Sequence, residues 1–254
     1  YNGGHTVGFT ADAVAFPDSS GVTLELYLRI RPGLIAELCR EGRVPMPVRV
    51  SARLRSIFGG KTQEREQVVQ VSPADTTGTF GEVVMLSFPA IPGPHHLEVR
   101  LETRRRTLAR IGAEKPEIAK VDGDLEIPGA QAGRNISDLE FIWGEAEHGA
   151  ARVFGRSGRG LIPNPERIYG LCSTDLRAFF AARGGGAESR PWHWVARVLD
   201  PRGVLEAQQE STAVAGPTLA AEIRMDISSL PAGGYDLEVK AWQQGDAGAL
   251  LRSR

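Results

Sequence analysis

Leu230-Pro231-Ala232-Gly233-Gly234-Tyr235-Asp236-Leu237-Glu238-Val239-Lys240 decides the reading of this chain, because Ile91-Pro92-Gly93-Pro94-His95-His96-Leu97-Glu98-Val99-Arg100 has nearly the same plan much earlier. Each begins on an apolar residue, turns through Pro and Gly, and then alternates apolar with charged side chains, the pattern of a strand with one buried face. The chain reads as one design written twice, each copy ending in such a strand.

Further strands are legible outward from these two. Val22, Leu24, Leu26, Leu28 and Ile30 alternate with Thr23, Glu25, Tyr27 and Arg29, a period of two that puts all five apolar residues on one face. Pro32-Gly33 stops that strand, and Leu34, Ile35 and Leu38 have the spacing of a short helix leading to Cys39. Val48 to Phe58 alternates again, Gly59-Gly60 turns the chain, and Gln63 to Val71 returns antiparallel. In the second copy Trp192, Trp194, Ala196 and Val198 share a face, Asp200-Pro201-Arg202-Gly203 turns, and Val204 to Thr212 returns. Phe9 to Phe16, Phe80 to Phe88 and His95 to Thr103 complete the first copy. Leu139 to Trp143, Leu176 to Ala182, Leu219 to Ile227 and Tyr235 to Trp242 complete the second. Leu97 to Leu237 spans 140 positions and Val50 to Val195 spans 145, so the copies run in step apart from loops. The expected fold is all-β, two tandem immunoglobulin-like or fibronectin-like β-sandwich domains at 7–103 and 135–244. Residues 104–134 read as a linker with one or two short strands, and 245–254 as a C-terminal tail.

A length of 254 residues suits two domains of about 100 residues each. With 30 basic and 31 acidic residues the formal net charge is -1, which gives no field to steer the protein toward nucleic acid. No apolar run reaches the roughly 20 residues of a membrane-spanning helix. The chain begins at Tyr1 without an initiator Met, and a removed export signal is expected. Cys39 and Cys172 stand in separate copies without the paired spacing of zinc or redox sites; either two thiols or a disulfide between the domains fits that placement.

Residue types that carry chemistry do not gather. His95-His96 is the single adjacent pair among five histidines, and neighbours on a strand point to opposite faces, which makes a shared metal awkward without a turn. Gly155-Arg156-Ser157-Gly158-Arg159-Gly160 lacks the Gly-Lys-Ser/Thr ending of a nucleotide loop and reads as a hairpin tip. No serine occupies a Gly-x-Ser-x-Gly elbow, and the aspartates show no paired spacing for acid–base work or calcium. The reading therefore assigns no catalytic, cofactor or metal residues. Two candidate surfaces remain. Arg104-Arg105-Arg106 could meet an acidic partner, although such a run is more often a solvated strand end. Trp192, His193, Trp194 and Trp242 could line a glycan or peptide surface, although tryptophans on a sandwich strand are ordinarily core.

Ile136-Ser137-Asp138-Leu139-Glu140-Phe141, Leu161-Ile162-Pro163-Asn164-Pro165 and Leu230-Pro231-Ala232-Gly233-Gly234-Tyr235 occur in an order that resembles the β-rich region upstream of the GWxTD domain in bacterial exported proteins of that name. The resemblance covers mainly residues 120 to 243. It implies export to the periplasm or cell envelope and no enzyme activity. The sequence contains no Gly-Trp-x-Thr-Asp segment, and Trp143 precedes a glycine instead of following one, so no role tied to that segment is carried over. The expected function is a non-catalytic accessory or scaffold subunit on the outer face of a membrane assembly, respiratory, photosynthetic or transport, with other protein subunits as partners. The alternative is a secreted glycan- or peptide-binding module.

Overall fold

A computed structural model describes residues 8–17, 21–39, 45–72, 81–103, 117–128, 136–145, 154–156, 158–170, 173–184, 190–214, 216–243 and 249–253. The protein is all-β, with one short helix among the described residues. Its backbone contacts divide it into two compact units, Tyr1–Ala13 with Thr23–Pro128, and Val14–Val22 with Gly129–Arg254.

The first unit carries two sheets. One has the order β1-β2-β5, from strands Phe9–Pro17, whose end from Val14 onward falls in the second unit, Val22–Ile30 and Glu82–Ala90. The other has the order β4-β3-β6-β7, from Gln63–Val71, Met46–Ser56, Gly93–Thr103 and Glu117–Ile127. The alternation in β2 does what its sequence dictates, burying Val22, Leu24, Leu26, Leu28 and Ile30. Leu26, with Ala11 and Ala13 of β1, faces Leu97, Val99 and Val121 of the second sheet across a gap of about 20 Å³. The helix α1, Pro32–Cys39, begins on a proline whose missing N–H is no loss in a first turn, and it buries Ile35 completely.

The second unit has the five-stranded order β14-β11-β8-β10-β9, from Thr218–Asp226, Asp175–Arg183, Glu140–Glu145, Arg159–Pro163 and Gly155–Arg156. Its other sheet has the order β13-β12-β15-β16, from Leu205–Val214, Pro191–Leu199, Asp236–Gln243 and Ala249–Ser253. One core of side chains from both sheets lies between them, with Phe180 meeting Trp194 edge-on at 5.9 Å between ring centroids. This is sandwich packing.

The two units share one strand plan. β1-β2-β5 corresponds to β8-β11-β14, and β4-β3-β6-β7 corresponds to β13-β12-β15-β16. The β9–β10 hairpin is an addition to the second unit, at the place where the glycine-rich run reads as a hairpin tip. The registers correct one correspondence. Leu54 pairs with Leu97 in the first unit and Val198 with Leu237 in the second. With Leu97 matched to Leu237, Val50 falls opposite Trp194 and not Val195. The difference is a single residue, but in a strand one residue reverses the face. Val50 and Trp194 both point into the core, whereas Val195 shares the opposite face with His193.

β7 and β16 extend what the sequence suggests. Glu117–Ile127, within the stretch read as linker, is an eleven-residue strand hydrogen-bonded along its length to β6. Ala249–Ser253, within the stretch read as a tail, pairs with β15. Cys39 is buried, with its Sγ 3.9 Å from the Val71 carbonyl oxygen, and Cys172 lies outside the described residues. No helix among the described residues is long and apolar enough to cross a membrane.

Candidate functional site

The tryptophan strand splits the four residues expected to form one ligand surface. Trp192 and Trp194 are in the core, because the period of two in β12 turns them inward together with Ala196 and Val198. His193 faces out and stacks on Trp242, its register partner on β15, with ring centroids 5.8 Å apart and planes 20° from parallel. Thr212 Oγ1 lies 3.1 Å from His193 Nδ1, and Lys240 Nζ sits 5.8 Å from the Trp242 ring centre. What remains outside is one aromatic pair rather than a four-residue platform. Arg104, Arg105 and Arg106 lie outside the described residues. His95 and His96 point to opposite faces, His95 buried against the Gly93 carbonyl at 2.9 Å and His96 meeting Asp124 at 2.7 Å.

The outer faces of two sheets are occupied by ion pairs. On the first unit, Glu98 accepts from Lys120 at 2.7 Å and from Arg100 at 2.8 Å, and Arg53 pairs with Glu64 at 3.2 Å. These hydrogen bonds, Lys120 first, bring the Glu98 carboxyl down to about 2. On the second unit, Arg177 meets Glu222 at 2.5 Å and Arg159 meets the same carboxylate at 2.6 Å. Glu140, only 1% exposed, accepts from Arg156 Nε at 2.7 Å, while the Arg156 guanidinium lies over the Phe16 ring at 4.7 Å.

Against that polar surface, apolar side chains stand out at one end of the first unit. The β3–β4 turn exposes Ile57 and leaves Phe58 85% exposed; the β5–β6 turn leaves Ile91 63% exposed. A hydrogen bond from Ile57 N–H to the Pro94 carbonyl at 3.0 Å, beside the Ser56–His95 pair, brings the two turns to the same end. Gly59 and Gly60 have φ of 96° and 136°, which lets the chain reverse tightly behind Phe58. Arg55 and Lys61 flank this tip and are exposed. Sequence reading places Phe58 at a strand end and Ile91 before a turn; a large aromatic directly before a Gly-Gly turn is the signal that marks Phe58.

The second unit has a cavity of about 510 Å³ at the end of its sandwich, beneath the Leu230–Tyr235 turn. Its rim is built by Asn164, which is buried and holds the following turn from both sides. Asn164 Oδ1 accepts from Arg167 N–H at 3.0 Å, and its Nδ2 donates to the Ile168 carbonyl at 3.1 Å. Arg167 has φ of 55°, the left-handed region that side chains with a Cβ rarely enter. Its guanidinium lies 5.1 Å from the Phe141 ring centre. Tyr169, two residues on, is half-buried with its hydroxyl turned inward to the Ile142 and Arg177 backbone, and that desolvation pushes the hydroxyl well above the ordinary tyrosine range. Neither Arg167 nor Tyr169 belongs to any sequence pattern, because the cavity joins the 164–170 loop to a turn some 60 positions later.

No protein-family model matches the chain, and no curated protein matches it. Among solved structures it is similar to the transglutaminase of red sea bream at 6% identity, with a TM-score of 0.26. That match covers 96% of this chain and 32% of the other, so the chain spans about a third of the length of the structure it matches.

Proposed function

We propose that this protein is a non-catalytic interaction protein whose first unit docks another protein subunit through Ile57, Phe58 and Ile91. The observation that carries the reading is Phe58, a large aromatic side chain 85% exposed on a turn beside a second exposed apolar turn. Large aromatics that project from a rigid scaffold, surrounded by polar surface, are the anchors interfaces use. The paired sheets form the scaffold, and the turns between their strands are left to make contact. With the resemblance to the exported GWxTD-containing proteins, the assembly we favour is a membrane complex approached from its periplasmic face, with this chain as an accessory subunit. The glycan or peptide reading of the tryptophan strand keeps only Trp242 and His193 as accessible groups.

The test is to solubilise native membranes gently, separate intact complexes by size and follow this chain by mass spectrometry. Wild-type protein is expected to migrate with a defined complex, and the double variant Phe58→Ser, Ile91→Ser to migrate as a free small protein while melting at the wild-type temperature. Migration of the wild type on its own overturns the reading. Unchanged migration of the double variant removes the two turns as the docking element.

A further inference from the structure

We infer that the free edge of β7 is a docking site for an extended segment of a partner protein in which basic and apolar residues alternate, added to the sheet as a further strand. β7 ends the sheet β4-β3-β6-β7 on one side, and all eleven of its residues, Glu117–Ile127, pair with β6. A strand turns the N–H and C=O of alternate residues to opposite sides, so a row of these groups points away from β6. Among the described residues, no hydrogen bond joins the backbone of Ala119–Ile127 to any strand but β6. The opposite edge of the sheet differs. There the side chains of Gln63 and Arg65 on β4 donate to the Pro89 and Ser87 carbonyls of β5 at 2.7 and 3.1 Å, which ties that edge to the other sheet.

The side chains of β7 set the chemistry of the added strand. Val121, Gly123 and Leu125 turn inward and are only half-buried, so apolar residues on the inner face of a new strand would cover them. On the outer face Asp122, Asp124 and Glu126 stand at every second position, all exposed. Lys120 reaches Asp122 at 3.2 Å and His96 reaches Asp124 at 2.7 Å, while Glu126 lies opposite Pro94, which brings no charge. Basic residues at alternate positions of the new strand would stand directly across from this acidic row, and acidic ones would be repelled there. A second copy of β7 centred on Asp124 would set acid against acid, which favours a strand of different sequence as the occupant.

The edge is also regular enough to pair. β7 contains no proline, and its register with β6 runs without a bulge from the Ile127–Gly93 pair to the Glu117–Thr103 pair. Prolines and bulges are the usual means of blocking an edge. In strand addition the main chain supplies affinity and alternate side chains supply selectivity, and β7 offers both. This surface is independent of the docking turns at Ile57, Phe58 and Ile91.

Fluorescence anisotropy of a labelled peptide of about nine residues with alternating lysine and valine, titrated with the purified full chain, tests the proposal. The peptide is expected to bind saturably, and the same peptide with glutamate in place of lysine at least tenfold more weakly. Two further forms are N-methylated, one on the lysines and one on the valines, which removes the donors from one edge of the peptide at a time. One form is expected to lose binding at least tenfold and the other to retain it, because only one edge can face β7. The double variant Asp124→Lys, Glu126→Lys changes exposed side chains and is expected to fold, to weaken the lysine peptide at least tenfold and to strengthen the glutamate peptide. Should it fail to fold, the peptide series carries the test. Absence of saturable binding of the lysine peptide to the folded wild type overturns the site. Retention by both N-methylated forms overturns strand addition. A wild-type dimer that the Asp124→Lys, Glu126→Lys variant dissociates overturns the choice of occupant. Phe58→Ser, Ile91→Ser is expected to retain peptide binding, and its loss there would move the site to the docking turns.

Discussion

Tyr169 and Ile142 are joined through one hydroxyl in both directions. The Tyr169 oxygen accepts from Ile142 N–H at 3.1 Å and lies 2.9 Å from the Ile142 carbonyl oxygen and 2.6 Å from that of Arg177. Ile142 and Arg177 are themselves partners across β8 and β11, so the phenol closes the end of that ladder. Tyr169→Phe takes away the acceptor of a buried N–H and is expected to cost about 1–3 kcal/mol in urea unfolding at pH 7. Burial also raises the Tyr169 pKa above the ordinary value of about 10. The folded protein then keeps a proton that the unfolded chain has lost, so this stability is complete below about pH 10 and declines as the pH rises beyond it. Wild type is expected to lose stability more steeply than Tyr169→Phe above pH 10; equal slopes would remove the hydroxyl from the account.

Gly81 approaches the end of β2 so closely that a Cβ there would lie 2.3 Å from the Ile30 carbonyl oxygen, and its φ is 64°. Gly203, in the β12–β13 turn, has a φ of 80° with nothing within 4 Å of a Cβ. Alanine at Gly203 meets only the left-handed strain, about 1–2 kcal/mol. Alanine at Gly81 meets that strain together with a backbone collision, and about 2–4 kcal/mol is expected. Denaturant midpoints of the two variants decide it: similar losses would mean that the Gly81 contact relaxes freely.

The strands that bury a full face were legible because their sequences alternate without interruption, as Val22 to Ile30 does. The repeated plan was legible because Leu97-Glu98-Val99 and Leu237-Glu238-Val239 occupy the same place in each sheet. β7 was harder to see. As an edge strand it half-buries Val121 and Leu125 and carries Asp122, Gly123 and Asp124 between them, with Lys120 just before, a composition that edge position permits and linkers share. The candidate sites were harder still. Phe58 depends on exposure at a turn, and Arg167 on a backbone conformation and a ring supplied from β8, neither of which a pattern along the chain records.

The inward and outward faces of β12 and β15 predict unlike consequences for chemically alike substitutions. Trp194 packs edge-on against Phe180 in the core, and Trp194→Ala is expected to cost about 3–5 kcal/mol. Trp242 stacks on His193 on the outer face, and Trp242→Ala is expected to cost about 0.5–1.5 kcal/mol, the worth of an aromatic pair. Acrylamide should quench wild-type fluorescence partly through Trp242, and that component should be absent from Trp242→Phe. Any quenching by glycans should be lost in the same variant.

Glu98 lies in the middle of the charged face of the first unit, 17% exposed on its side chain, between Lys120 and Arg100. Hydrogen bonds from Lys120, then from Arg100, bring its pKa down from 4.5 to about 2. A carboxyl that holds its charge better when folded contributes stability above its unfolded pKa, and that contribution is lost as the pH falls through the folded value. Wild type should therefore exceed Glu98→Gln in stability at pH 7, by no more than about 1 kcal/mol because the partner cations are substantially exposed. The difference should shrink between pH 4.5 and about 2 and close below that, and 0.5 M salt should reduce it at neutral pH. Urea titrations at pH 7, 4 and 2 measure it. A difference that persists undiminished at pH 2 would mean that Glu98 acts through packing against its neighbours and not through its charge.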